Sequence, residues 1–160
     1  MVMRYFELEC KPHGKARPRA RVIKVIKDGR AVYMPSMYTT KEDKDYEKQV
    51  RDAYLATYDR IPPMECPVTV RIECFMPVPS GATRKTKREI ENGDILPCNK
   101  PDIDNIAKSV LDALNGVAWS DDKNVVGLYV QKHFETHDYK QGIRVYIKSA
   151  NQKESEDERG

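Results

Sequence analysis

Pro101-Asp102-Ile103-Asp104-Asn105-Ile106-Ala107-Lys108-Ser109-Val110-Leu111-Asp112-Ala113-Leu114-Asn115-Gly116 carries the clearest signal in the chain. Ile106, Val110, Ala113 and Val117 fall on one stripe at helical spacing, which predicts a helix from about Asp104 to Leu114 with one buried face. Asn115-Gly116 supplies its C-terminal stop. Asp102 lies just before this helix and Asp104 begins it, so an extended Pro101-Asp102-Ile103 directs both carboxylates toward one site at the positive end of the helix dipole. Lys108 stands one turn further along the same face, where its ammonium can reach a phosphate held by a metal beside the carboxylates. Asp121 and Asp122 follow a short return loop, long enough to bring a third carboxylate back to the helix's N-terminal end. Spacing does not decide which of those two points inward.

Working outward, Cys66 to Phe75 alternates, with Val68, Val70, Ile72 and Cys74 facing one way and Thr69, Arg71 and Glu73 the other, the period of a half-buried strand. Arg4 to Lys11 alternates in the same way through Phe6, Leu8 and Cys10. Arg21 to Ile26 and Arg30 to Met34 are rich in Val, Ile and Tyr and flank Lys27-Asp28-Gly29, which predicts a hairpin. Thr39 or Thr40 can cap a helix over Lys41 to Tyr58, which Pro62 and Pro63 stop. A short basic helix is expected over Thr83 to Asn92, and a final antiparallel pair over Val125 to Thr136 and Gly142 to Lys148. These elements predict one compact α+β domain over 1–150, a mixed or antiparallel sheet packed against helices. Asn151 to Gly160 is polar, mostly acidic and without apolar anchors, so a disordered tail is expected there.

The chain has 160 residues, 39% hydrophobic and 33% charged, which suits a single core. Its net charge is only +3, but Lys11, Lys15, Arg17, Arg19, Arg21, Lys24, Lys27 and Arg30 crowd one stretch opposed by Asp28 alone, and this suggests a polyanionic partner. No apolar run approaches the roughly 20 residues a membrane span needs, and the N-terminus lacks a signal-peptide core, so a soluble cytoplasmic protein is expected. The four cysteines form no Cys-x-x-Cys pair and the histidines are scattered, which argues against disulfides and structural zinc.

Hard divalent ions such as magnesium favour a few carboxylate oxygens plus water, and three aspartates meet that demand. Such an ion activates a water for attack on a phosphodiester and neutralises charge in the transition state, to which Lys108 adds. The plainer alternative is that Asp102 or Asp104 caps the helix, while Lys108 makes a surface ion pair with Asp104 or Asp112 worth about 0.3 to 0.5 kcal/mol. Lys132 alternates with Val130 and Phe134, which does not decide whether it touches DNA or the active centre. Tyr33, Tyr38 and Phe75 could stack on unpaired bases, but aromatics beside strands read more simply as core residues.

Pro101-Asp102-Ile103-Asp104-Asn105-Ile106 with Lys108, then Leu111-Asp112-Ala113-Leu114-Asn115-Gly116 and Asp121-Asp122, resembles the signature of RusA-type Holliday junction resolvases. Gly14-Lys15-Ala16-Arg17-Pro18-Arg19 is similar to that family's basic entry motif, and Tyr38-Thr39-Thr40 precedes the first helix as it does there. The resemblance implies a homodimeric α+β nuclease that binds four-way DNA junctions and makes paired symmetric nicks with Mg2+, for which Mn2+ can substitute. It implies metal binding by Asp102, Asp104 and Asp122 and an essential role for Lys108; the spacing of Asp121-Asp122 keeps Asp121 as the alternative third ligand. DNA contact is expected from Lys15, Arg17, Arg19 and Arg21, through counterion release rather than sequence reading. Arg84, Lys85, Lys87 and Arg88 are further DNA-binding candidates that the resemblance does not cover. The competing reading is a non-catalytic module that binds branched DNA or a protein, with the aspartates serving only as caps.

Overall fold

The computed structural model describes residues 2–150. The tail expected over 151–160 lies outside them. Six strands and three helices follow the order β1 (Met3–Glu9), β2 (Arg19–Lys27), β3 (Arg30–Tyr38), α1 (Lys41–Tyr58), β4 (Val68–Met76), α2 (Arg84–Glu91), α3 (Ile103–Leu114), a 3-10 turn (Asp122–Asn124), β5 (Val125–Phe134) and β6 (Gly142–Ser149). A four-stranded mixed sheet has the order β1-β6-β4-β5, while β2 and β3 form a separate two-stranded ribbon.

β4 is the spine of the larger sheet. Val68, Val70, Ile72 and Cys74 are fully buried, as the period-two pattern requires. Their face is covered by α1, through Tyr46, Val50 and Tyr54, and by α3, through Ile106, Val110, Ala113 and Leu114, in one continuous core with Trp119. Burying each such aliphatic side chain contributes about 1.5–3 kcal/mol. Thr40 starts α1 by accepting from the Asp43 N–H at 3.2 Å.

β5 and β6 depart from the expected antiparallel pairing. β6 lies between β1 and β4, antiparallel to both, and β5 pairs with β4 alone, in parallel. Burial explains the exchange. Ile143, Val145 and Ile147 of β6 are 0–1% exposed and need a central position, whereas β5 leaves Val126, Leu128 and Tyr129 open on the sheet edge. The hairpin is present and longer than its sequence signal. Asp28 (φ 52°) and Gly29 (φ 74°) both occupy the left-handed region that a two-residue turn between twisted strands requires. Among the described residues, no helix is long and apolar enough to cross a membrane.

Candidate active site

Asp102 is the N-cap of α3 in extended backbone (φ −73°, ψ 150°), yet its side chain makes no capping hydrogen bond. Its carboxylate, half exposed, meets Lys100 Nζ at 2.5 Å. Asp104 occupies the first helical turn, and both it and Lys108 are exposed. Lys108 pairs with neither Asp104 nor Asp112, and Asp112 is instead held by Lys15. The two carboxylates are therefore presented to solvent at the N-terminal end of α3, where the backbone N–H groups and dipole favour anions, and Lys108 is exposed one turn beyond Asp104.

This end of the helix is held from two sides. Lys132, whose role the sequence left open, reaches up from β5 and donates to the carbonyl oxygens of Pro101, at 3.0 Å, and of Asn99. From the other side the N-terminal basic loop packs down, with the Lys15 N–H donating to Asn105 O at 3.0 Å. Gly14 makes that approach possible, since a Cβ there would stand 2.6 Å from Pro101 Cβ and 3.0 Å from Asn105 Cβ. Between loop and helix lies a cleft of about 430 Å³, lined by Lys11, His13, Arg17, Lys100, Asp102 and Asn105 among others. The close approach at Gly14 and the pairing of Lys100 with Asp102 are features that sequence reasoning missed. Their signals were a glycine inside a basic motif and a lysine two residues before Asp102.

Within the basic motif the residues divide. Arg17, Arg19 and Arg21 are exposed, and the Arg21 guanidinium lies 5.2 Å from the Tyr38 ring centroid. Lys15 turns inward, donating to Glu47 at 2.6 Å and to Asp112. Burial opposes its charge, but the two carboxylates outweigh that and hold its pKa above the ordinary lysine value. Lys15 thus braces the loop against α1 and α3, and its charge is compensated within the protein. Lys15→Ala is expected to cost about 1–3 kcal/mol in a urea melt while leaving the salt dependence of DNA binding unchanged. Arg17→Ala should instead leave the melt unchanged and lower the slope of log K against log salt by about 1.

A second brace joins the loop to α1. Asp43, 2% exposed, accepts from His13 Nε2 at 2.7 Å, from Thr40 Oγ1 at 2.7 Å and from the Ala16 N–H at 3.3 Å. Burial pushes its carboxyl pKa up, but these hydrogen bonds outweigh it and hold the pKa below the ordinary value of 3.8. A depressed folded pKa gives stability that is complete above 3.8 and is lost as pH falls through the lower folded value. Melting temperature followed downward from pH 5 should therefore fall more steeply in wild type than in Asp43→Asn.

Asp121 and Asp122 do not return to the N-terminal end of α3. Asp122 accepts from Trp119 Nε1 at 3.2 Å, and Trp119 O accepts from the Gly116 N–H, so this segment is tied to the helix's C-terminal end. The fully buried Trp119 and its bridge to Met64 fix the loop there. β5 then runs back toward Lys132. Twelve helical residues separate the two ends, a length of roughly 18 Å at about 1.5 Å per residue. Asp121 caps the following turn through the Lys123 N–H, which holds its carboxyl below the usual value. Among the described residues, no three Asp, Glu, His or Cys side chains converge to hold a metal. On α2, Arg84, Lys85, Lys87 and Arg88 are all exposed, with Lys85 3.8 Å from Glu89.

Asp102, at the N-cap of α3, borders a cleft lined by Lys11, Arg17 and Lys100, while Asp104 and Lys108 are exposed further along the same helix; cations around a helix N-terminus favour an anionic ligand. The sequence model of the family Endodeoxyribonuclease RusA matches residues 9–148, and the chain belongs to that family. Over 70 residues, 42% of this chain, it is 39% identical to Uncharacterized protein YqaN of Bacillus subtilis (strain 168). That match spans about half (49%) of the relative's length.

Proposed function

We propose that this protein is a structure-selective endodeoxyribonuclease that resolves four-way DNA junctions by paired symmetric nicks, with Mg2+ or Mn2+ as cofactor. The observation that carries this reading is the exposed Asp102, Asp104 and Lys108 group beside a basic cleft, in a chain of the RusA endodeoxyribonuclease family. Exposed aspartate oxygens suit a hard divalent ion, which binds through few protein carboxylates and keeps several waters. When bound, the ion supplies a water of lowered pKa and neutralises phosphate charge. Asp102 and Asp104 would hold it, Lys108 would bind and orient the scissile phosphate, and Arg17, Arg19 and Arg21 would position the flanking backbone without reading sequence.

In this reading the third carboxylate is Asp122, the position that the resemblance to the family matches. Because Asp122 sits at the far end of α3, a homodimer would complete each centre with the partner's Asp122. The open β5 edge, with Val126, Leu128 and Tyr129 exposed, offers a surface for such a two-fold contact. Mixing Asp102→Asn with Asp122→Asn chains tests this arrangement. Shared centres predict that the mixture regains cleavage that neither variant has alone, as single nicks. Centres built within one chain predict no recovery.

The function itself is tested by labelling each strand of a synthetic four-way junction in turn and mapping the products. Nicks at symmetry-related positions in opposed strands are expected. Junction binding without nicks in either metal would replace this reading with a non-catalytic branched-DNA module.

A further inference from the structure

The β2–β3 ribbon stands apart from the body of the protein. It forms its own sheet, and its nine-residue strands give an arm roughly 30 Å long. Its base lies at Arg17 to Arg19 and at Tyr38 to Thr40, beside the cleft that contains Asp102. A two-stranded ribbon alone is marginally stable in water, so an arm open on both faces is built to be covered.

The register gives the two faces different chemistry. Arg19, Arg21 and Lys27 share one face with Arg30, across from it in the partner strand, and with Ile23, Val25, Val32 and Met34 between. The opposite face sets Ala20, Val22, Lys24 and Ile26 against Met37, Pro35, Tyr33 and Ala31. On that second face Val22 is 70% exposed, Ile26 73%, Tyr33 67% and Met37 64%. Tyr33, which reads from the sequence as a core residue, is therefore open to solvent.

We infer that this ribbon is a DNA-embracing arm whose apolar face covers unstacked bases at the branch point while its cationic face holds the adjoining phosphates. The inference rests on the junction-nuclease reading and adds a recognition element to it. Charge complementarity selects the occupant. The ribbon carries Arg19, Arg21, Lys24, Lys27 and Arg30 against the single carboxylate of Asp28, so a second copy of the arm would repel it. A nucleic acid offers both surfaces that the arm needs: phosphates for its cations, and base faces for its apolar side chains where stacking is broken. Linear duplex lacks the second surface, which makes the apolar face a sensor of branching.

The test uses the full chain in EDTA, so that binding is read without cleavage. A labelled four-way junction and a labelled linear duplex of the same sequence are compared by anisotropy. Tyr33→Ala should weaken junction binding by about fivefold to a hundredfold, the range for loss of one base–aromatic stack, and leave duplex binding within about twofold. Val22→Ser with Ile26→Ser should act in the same direction. On the other face, Lys27→Gln with Arg30→Gln should weaken both DNAs and lower the salt slope by about 2. The inference is overturned if wild type prefers the junction and the apolar-face variants keep that preference intact. It is also overturned if those variants turn a dimer into a monomer by light scattering, which would make the arm a subunit contact. Wild type that binds neither DNA would overturn the nuclease reading, and this inference with it.

Discussion

Asp102→Asn should abolish junction cleavage while the protein continues to fold and to bind the junction. Asparagine caps a helix as well as aspartate does, and the Asp102 carboxylate makes no capping bond in any case, so the melt should be unchanged. Removing one negative charge beside the DNA also leaves affinity equal or higher, because repulsion of the phosphates falls. The loss in rate should exceed the about 10–100-fold that follows from removing a mere supporting partner of a metal ligand. Single-turnover cleavage with saturating protein separates the two effects. A variant that still cuts within about tenfold of wild type would return Asp102 to the role of a surface residue paired with Lys100.

Trp119→Ala should be the most destabilising single change near the site. The side chain is fully buried among residues of α3 and β4, and its backbone bridges Met64 and Asn115. Truncating a buried tryptophan costs about 3–5 kcal/mol, and for a chain of this size that lowers the melting temperature by roughly 6–20 °C. Trp119→Phe keeps most of the volume but loses the N–H that Asp122 accepts. It should melt within a few degrees of wild type yet cleave more slowly, since Asp122 is then free to leave its position. Equal cleavage rates for Trp119→Phe and wild type would show that this hydrogen bond positions nothing.

Local patterns made most elements legible in the sequence. The helix over Lys41–Tyr58 was readable to the residue because a threonine cap, an apolar stripe and two prolines bound it. The positions of Asp102 and Asp104 at the start of α3, and of Lys108 one turn beyond Asp104, were readable because the apolar stripe and the Asn115-Gly116 stop frame that helix. Strand order was not readable. Alternation shows that a strand has a buried face, but not which neighbour it takes, and β6 crosses over to lie between β1 and β4. The inward turn of Lys15 was hidden for the same reason, since Glu47 and Asp112 are remote from it in sequence and only the packing of α1 against α3 brings them together. The return of Asp122 failed because loop length permits a path without choosing it. The burial of Trp119 chose the opposite end of α3.

The most direct measurement is cleavage by wild-type protein of a four-way junction beside a linear duplex of the same sequence, with Mg2+ and with EDTA. Cleavage of the junction alone, present with Mg2+ and abolished by EDTA, is the predicted result. Equal cleavage of both DNAs, or junction cleavage that persists in EDTA, would contradict a metal-dependent, branch-selective nuclease.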